Sequence, residues 1–479
     1  MYRVIRGNPN QAPDVYDFIH LLNNLSSHSL KTARELFSTQ EELIVSRAPG
    51  RLDVMGGIAD YSGSHVLEMP IAEATFVAVQ RKDERTISIV TSLVDEVCRD
   101  EPSHISFKMP LSVFDGPMEY EAAREFFQQY PGTRWPAYVA GVFLVLMRER
   151  NVSFASGVNI LISSRVPPGK GVSSSAALEV AVMQAVTEAF DITIEERDKA
   201  LLCQKVENLV VGAPCGVMDQ MTAVFGESNK LLLLLCQPAE IKRTITLPRQ
   251  LMLWGIDSGI RHSVSGSDYG SVRAGAFMGL RMIAELNRNE SAVEYLANIS
   301  PAEFERDYLA QIPERISGEE FLTRYKQTID PVTSIDREKD YAIKTPTAHP
   351  VYENARVQRF VDLLARCESS DQPESLFNEL GELMYESHDS YTALGLNSSG
   401  TDLIVDLVRR EGPGAGLFGA KITGGGSGGT VAVLGDQTSR TAIERVAANY
   451  AKETGHQPHI FHGSSSGSLA FGHLRLRAP

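Results

Sequence analysis

Val166-Pro167-Pro168-Gly169-Lys170-Gly171-Val172-Ser173-Ser174-Ser175-Ala176-Ala177-Leu178 decides how the rest of the chain is read. An apolar, strand-like run, Gly157 to Ile162, precedes it, and a run of helix formers, Ala176 to Ala185, follows it. The prolines, glycines and serines between them predict a tight loop that opens a helix on a serine cap. The first amides of such a helix lack internal partners and sit at the positive end of its dipole. Glycines admit an anion close to the backbone, and serine hydroxyls add bonds to phosphate or to a cation. A capped loop without a ligand uses the same residue types, so the phosphate reading depends on the other loops.

The chain has 479 residues, enough for one large or two ordinary domains, and its 43% hydrophobic and 22% charged content is that of a globular protein with a sizeable core. A net charge of -14 argues against a general nucleic-acid binder, which needs a basic surface. The five cysteines, Cys98, Cys203, Cys215, Cys236 and Cys367, are scattered and form no CxxC pair. They suggest neither a disulfide framework nor a zinc site, and a reducing, cytoplasmic setting is expected. No apolar run is long enough to span a bilayer, so no membrane partner is expected. The expected assembly is a monomer or a weak homo-oligomer.

Along the chain, residues 1–42 read as largely helical, and Leu43-Ile44-Val45 as a strand. Arg47 to Gly63 reads as a long, polar, glycine-rich turn holding Arg47, Arg51, Asp53 and Asp60. Charged residues clustered on a loop between strands are candidate ligand contacts. Strands are expected over Phe76 to Gln80 and Thr86 to Thr91, and a helix from Trp135 to Glu149. Beyond the central loop come a helix from Ala200 to Val211 carrying Glu207, and a turn, Gly212 to Met221, carrying Asp219. Leu231 to Leu235 reads as a buried strand, with a domain boundary near residue 240. The expected domains are 1–240, with the phosphate and charged loops, and 241–479. The second contains a polar, Pro-containing stretch, 297–345, read as an irregular insertion. Helices follow over about Asn354 to Cys367, Pro373 to Ser390 and Gly400 to Arg410, then a glycine-rich loop, Gly419 to Gly429, and a strand, Thr430 to Leu434.

Some patterns mislead. Gly414 to Gly419 and Gly424 to Gly429 satisfy GxGxxG, but a dinucleotide fold needs a helix after the glycines, and Thr430 to Leu434 is strand-like. Gly425 to Gly429 and Gly463 to Gly467 satisfy GxSxG without a following helix, so no nucleophile elbow is expected. GxxxxGK[ST] does not occur, which excludes a P-loop NTPase. His456, His459 and His462 recur every third residue, but Pro458 and strand-like surroundings argue against a metal site.

Three separated stretches, Arg47 to Tyr61, Pro167 to Ala177 and Lys421 to Gly429, together resemble the three signatures of the GHMP small-molecule kinases, in the galactokinase branch. Pro214 to Gln220, Arg261-His262-Ser263 with Asp268-Tyr269, and Leu383 to His388 are similar to that branch as well. The resemblance implies an α+β fold of two domains, the first like domain 2 of ribosomal protein S5 and the second ferredoxin-like. It implies transfer of the ATP γ-phosphoryl group to an anomeric hydroxyl, a reaction that depends on positioning and charge neutralisation.

The same resemblance implies roles for single residues. Pro168, Gly169, Lys170, Gly171, Val172, Ser173, Ser174, Ser175 and Ala176 would cradle the phosphates, and Trp135 would pack on adenine. Ser175 and Glu207 match positions that hold Mg2+, a hard cation suited to oxygen ligands. Asp219 would take the anomeric proton, or merely orient the hydroxyl, and Arg51 would keep it ionised. Asp60 and Tyr269 would bind ring hydroxyls, Gly57 and Gly216 would belong to the substrate site, and Gly424 and Gly425 would bring backbone near the sugar and phosphate. Galactokinases place a Glu-His pair where this chain has Gly57-Ile58, a pair that contacts the hydroxymethyl end of the sugar. L-Arabinopyranose lacks that group, so the acceptor expected here is L-arabinose, as in the kinase part of the L-arabinokinases. D-Galactose and D-galacturonate are the rival acceptors, and a silent sugar- and ATP-binding regulator is the rival from another class.

Overall fold

The computed structural model describes residues 1–91, 106–116, 118–129, 135–261, 267–287, 293–367, 370 and 373–478. Its strands in the first half are β1 (Arg3–Arg6), β2 (Leu43–Met55), β3 (His65–Lys82), β4 (Thr86–Thr91), β5 (Ser106–Pro110), β6 (Gly157–Ser164), β7 (Lys230–Leu235) and β8 (Glu240–Thr246). Those in the second half are β9 (Leu251–Asp257), β10 (Arg315–Ser317), β11 (Asp340–Ala342), β12 (Leu417–Ile422), β13 (Thr430–Asp436), β14 (Ile460–His462) and β15 (Leu474–Arg477).

The larger sheet runs β1-β15-β2-β3-β6-β4-β5, with β7 on the free half of β3 and β8 on β7. Its neighbours are antiparallel except β4 and β6, which pair in parallel. Alternation along β2 explains why the strand carries so little polar sequence at its start. Leu43 and Val45 enter one core with Phe18 and Leu22, while Ile44 enters another with the helices Trp135–Arg150 and Ser174–Ala189. Both faces are covered, so a near-continuous apolar run results.

Residues 1–42 cover the face of Leu43 and Val45, and the largely helical reading needs correction. Arg3–Arg6 is an edge strand against Leu474–Arg477, and the helix Val15–Asn23 is the longest in the segment. The last strand of the chain thus lies in the first sheet, and the hairpin β7–β8 carries that sheet past residue 240 to Thr246.

The expected long turn over Arg47 to Gly63 is also corrected. Strand β2 continues, wholly buried, to Met55, and a short 3-10 helix, Gly57–Ser62, follows. Burial is tolerated because the charges are paired. Arg47 donates to Asp14 (2.9–3.1 Å) and Lys421 to Asp53 (2.6 Å).

The smaller sheet, β12-β13-β9-β14, is antiparallel. Along β13, Val431 and Val433 face a core with the helices Ser399–Glu411 and Arg440–Thr454. Ala432 and Leu434 face the other way, into a core shared with Leu52, Val54 and Leu67 of the larger sheet. The two sheets therefore meet through common apolar packing, and their loops gather at that seam. The segment 297–345 is not irregular. It forms the hairpin β10–β11 and the helix Gly318–Tyr325, and it buries Ile299, Phe304, Ile316, Phe321 and Tyr341 against the helix Ser267–Leu286. Its apolar residues are spaced too irregularly for one period to reveal them.

Candidate active site

Three loops converge: the turn between β6 and the helix Ser174–Ala189, the turn after β2, and the glycine-rich turn between β12 and β13. Arg51 N–H donates to the Val172 carbonyl at 3.1 Å, and Thr430 Oγ1 donates to the Lys170 carbonyl at 2.8 Å. Asp53 N–H donates to Thr423 Oγ1 at 2.6 Å, so all three turns share backbone ties. Ser173 stands at the helix N-cap, but with φ 61° and no capping bond, so the expected serine cap is absent. Its buried hydroxyl has no hydrogen-bond partner among the described residues and faces the pocket with Ser174 and Ser175.

Arg51 is buried, and its Nε and Nη2 reach Asp219 Oδ1 at 2.8 and 2.6 Å. Nη1 donates to the Gly171 carbonyl at 2.7 Å, and Nε stands 3.3 Å from Glu68 Oε2. Burial disfavours the guanidinium charge, yet Asp219, Glu68 and Asp53 more than offset that and hold it firmly protonated. Glu68 is itself pushed well above the usual carboxyl range by burial and by Asp53. Asp219, at the start of the helix Met218–Phe225, is partly open to the pocket.

Asp60 lies at the opposite wall, 4% exposed, and accepts from Met218 N–H at 3.4 Å. Its Oδ1 has no hydrogen-bond partner among the described residues. Burial, then repulsion from Asp219, raises its carboxyl to about 7. Gly216 packs so closely here that an added Cβ would stand 1.9 Å from Asp60 Oδ2. Tyr269 and Ile58 complete this wall, so a donor-accepting carboxyl faces the pocket beside an apolar side chain.

Glu207 is buried, and Gln220 Nε2 donates to its Oε2 at 2.8 Å. Burial, then Asp219, raises its carboxyl to about 7, partly offset by hydrogen bonds from Ser175, Cys215 and Gln220. Glu179, on the helix behind the serines, is wholly buried, and its Oε1 has no hydrogen-bond partner among the described residues. Ser175 and Glu207 thus present hard oxygens beside a second under-satisfied carboxyl, a donor set that fits Mg2+ keeping most of its waters. No cluster of three or more His, Cys, Asp or Glu side chains able to hold a metal exists among the described residues, and His456, His459 and His462 form none.

The sequence-derived residues do not all meet. Arg51, Asp60, Gly169, Gly171, Ser173, Ser174, Ser175, Glu207, Gly216, Asp219, Tyr269 and Gly425 line one pocket. Val172 and Ala176 are buried behind the loop as apolar support. Lys170 turns its ammonium to Asp257, 2.7 Å away. Gly424 lies against the Arg51 guanidinium, and Trp135 packs at the edge of the helical core. Gly57 is turned away: an added Cβ would stand 1.9 Å from the Tyr391 hydroxyl, and Ile58 takes the wall instead. His262 and Ser263, and the Asp268 side chain, lie outside the described residues. The sequence reading missed Glu68, Glu179, Gln220, Cys215 and Tyr391 as members of the site or its support. A lone acid inside Val66-Leu67-Glu68-Met69 and another inside a helix former run were the available signals.

Comparison with known proteins places the chain among sugar kinases and their relatives. The GHMP kinases N terminal domain matches residues 137–227, the galactokinase galactose-binding signature 34–81, and the GHMP kinases C terminal model 373–452. The chain belongs to the GHMP kinase family, in its galactokinase branch. An L-arabinokinase of Arabidopsis thaliana is 43% identical over 99% of this chain; the chain spans about half, 52%, of that relative's length. A galactokinase of Mannheimia succiniciproducens is 28% identical over 89% of this chain and 94% of its own. In fold, the chain is similar to Lactococcus lactis galactokinase complexed with galactose (TM-score 0.69, 20% identity, 93% of this chain and 99% of that one). Methanococcus jannaschii mevalonate kinase is a more distant likeness (TM-score 0.53, 14% identity, 88% and 98%).

Proposed function

We propose that this protein is an ATP-dependent sugar-1-kinase that converts L-arabinose to L-arabinose 1-phosphate in the cytoplasm. The observation that carries the reading is the shared guanidinium of Arg51, which joins Asp219 to the Gly171 carbonyl of the serine-rich loop. A carboxylate and a phosphate cradle are thereby held within one side chain's reach. The helix Ser174–Ala189 and its unpartnered Ser173 hydroxyl would receive the phosphates. Asp60 and Tyr269 would hold ring hydroxyls, and Asp219 would accept the anomeric proton as that oxygen bonds to the γ-phosphorus and ADP departs. Arg51 would hold Asp219 beside the loop until then. Ser175 and Glu207 would hold Mg2+, which when bound supplies charge neutralisation on the phosphates.

The acceptor is assigned from Gly57-Ile58. A polar pair at this wall facing an acceptor that lacks the hydroxymethyl group would be left unpaired, at about 1–3 kcal/mol each. Ile58 has nothing to leave unpaired, and the likeness to an L-arabinokinase over almost the whole chain agrees. D-Galactose stays as the second reading because galactokinases match over 89% of the chain. The deciding assay is ATP consumption against L-arabinose, D-galactose, D-galacturonate and D-glucuronate, with the product's phosphate located by 31P NMR. Fastest turnover of L-arabinose at the anomeric oxygen is expected. Faster turnover of D-galactose would overturn the acceptor, and ATP binding without turnover of any sugar would overturn the kinase reading.

A further inference from the structure

The segment 297–345 supplies none of the pocket's lining residues, yet one of its side chains reaches the acceptor wall through a single intermediary. Asp330 accepts from Arg273 Nε at 3.0 Å and from Arg273 Nη2 at 2.8 Å, a two-pronged pair with both side chains shielded from water. Its own loop locks the carboxylate in place. Val332 N–H, Thr333 N–H and Thr333 Oγ1 donate to it at 3.2, 3.3 and 2.5 Å. The remaining arm, Arg273 Nη1, donates to the Cys215 carbonyl at 3.0 Å. Asn208 and Gln204 also donate to that carbonyl, at 3.2 and 3.4 Å, so Arg273 is the shorter and the charged donor. Its guanidinium packs over the rings of Tyr61 and Phe277, at 5.3 and 5.4 Å from their centroids.

Cys215 precedes Gly216, the residue whose backbone presses on Asp60, and stands four positions before Asp219. A wall this close to a carboxylate tolerates little displacement. We propose that Asp330 is a positioning residue for the acceptor: it aims Arg273 at the Cys215 carbonyl and so fixes the Gly216 wall against Asp60. The segment 297–345 then governs how tightly the acceptor fits without touching it. This rests on the kinase reading of the same pocket for its kinetic consequence, but not for its structural one.

The test uses the full chain, with Asp330→Asn and the double variant Arg273→Met/Asp330→Leu. The double variant removes both charges together, so it leaves no unpaired buried ion and folds even where the single one does not. Amide hydrogen exchange without ligands is compared between the wall, 215–218, and the serine-rich loop, 169–175. Faster exchange confined to the wall is expected, together with a rise of about tenfold in acceptor KM and an ATP KM unchanged within about twofold. A merely structural role would raise both KM values or loosen both loops, and either result overturns the proposal, as does unchanged exchange at the wall. Should the wild type turn over no sugar, the kinase reading fails, while the exchange pattern still decides whether Asp330 positions the wall.

Discussion

Arg51 meets Asp219 edge-on, with Nε at 2.8 Å and Nη2 at 2.6 Å from the same oxygen, Oδ1. Both contacts fall on one oxygen, which leaves the rest of the carboxyl group facing the pocket. Replacing Asp219 by Asn keeps the shape and removes both the charge and the proton acceptor. Turnover is expected to fall by at least about 10², with ATP binding unchanged by calorimetry. A rate close to wild type would remove Asp219 from the proton-transfer role and leave it orienting the hydroxyl.

Asp60 predicts an inverse link between stability and pH. Its carboxyl is raised by burial and by Asp219 from 3.8 to about 7. The unfolded chain therefore releases this proton at lower pH than the folded one. The stability the group contributes is complete below about 3.8 and is lost as pH rises through about 7. At about 1.4 kcal/mol per pH unit, the loss between 3.8 and about 7 is on the order of 4 kcal/mol. Asp60→Asn stays neutral throughout. Ligand-free wild type and variant should therefore have similar melting temperatures near pH 4, and the variant should melt higher at pH 8 while binding acceptor more weakly. His349, held low by burial at about 4, acts in the opposite sense in both proteins and cancels in the comparison.

How far the sequence could be read follows from what each charge does. The loops are legible because glycines and serines directly before a helix are a local mark, the kind a phosphate site requires. Asp219, Arg51, Glu207 and Asp60 were legible through the resemblance, and they share one pocket. Arg47 and Asp53 sit in the same stretch and look the same in sequence, but they serve as buried ion-pair partners of Asp14 and Lys421. Those partners lie far along the chain, and no local pattern announces a pairing of that range. Gly57 is expected among the substrate contacts from the resemblance, whereas it makes room for Tyr391, another distant residue. The segment 297–345 reads as irregular in sequence because its apolar residues serve a core formed with other elements.

Gly57 and Tyr391 form a steric pair that can be separated by mutation. Gly57 has φ +47°, and a Cβ there would lie 1.9 Å from the Tyr391 hydroxyl and 3.0 Å from its ring carbon Cζ. That hydroxyl accepts from Ile58 N–H at 3.0 Å and donates to the Gly424 carbonyl at 2.7 Å, so it cannot move away freely. Gly57→Ala should cost about 2–4 kcal/mol in urea unfolding, from overpacking and a left-handed alanine. In Gly57→Ala/Tyr391→Phe the clash with the hydroxyl is gone, and the double variant should be more stable than the sum of the two single losses predicts, by about 1 kcal/mol or more. Strict additivity would mean that Tyr391 does not confine this position.

Lys421 and Asp53 are both 0% exposed in side chain and 2.6 Å apart, and Asp53 also accepts from Gly57 N–H at 3.0 Å and Gly424 N–H at 3.3 Å. The carboxylate thus ties the turn after β2 to the glycine-rich turn, and the lysine neutralises it from below. Removing the lysine alone strands an anion away from water. Lys421→Met should therefore lose about 3–5 kcal/mol in chemical unfolding. Lys421→Met/Asp53→Asn leaves no ion behind and keeps an amide oxygen for the closer donor, Gly57 N–H, at the expense of the longer bond from Gly424 N–H, so it should recover most of that loss. Recovery with a weakened acceptor affinity would assign the pair to alignment of the two turns. A double variant no more stable than Lys421→Met would show instead that the ammonium's packing, rather than its charge, holds this seam.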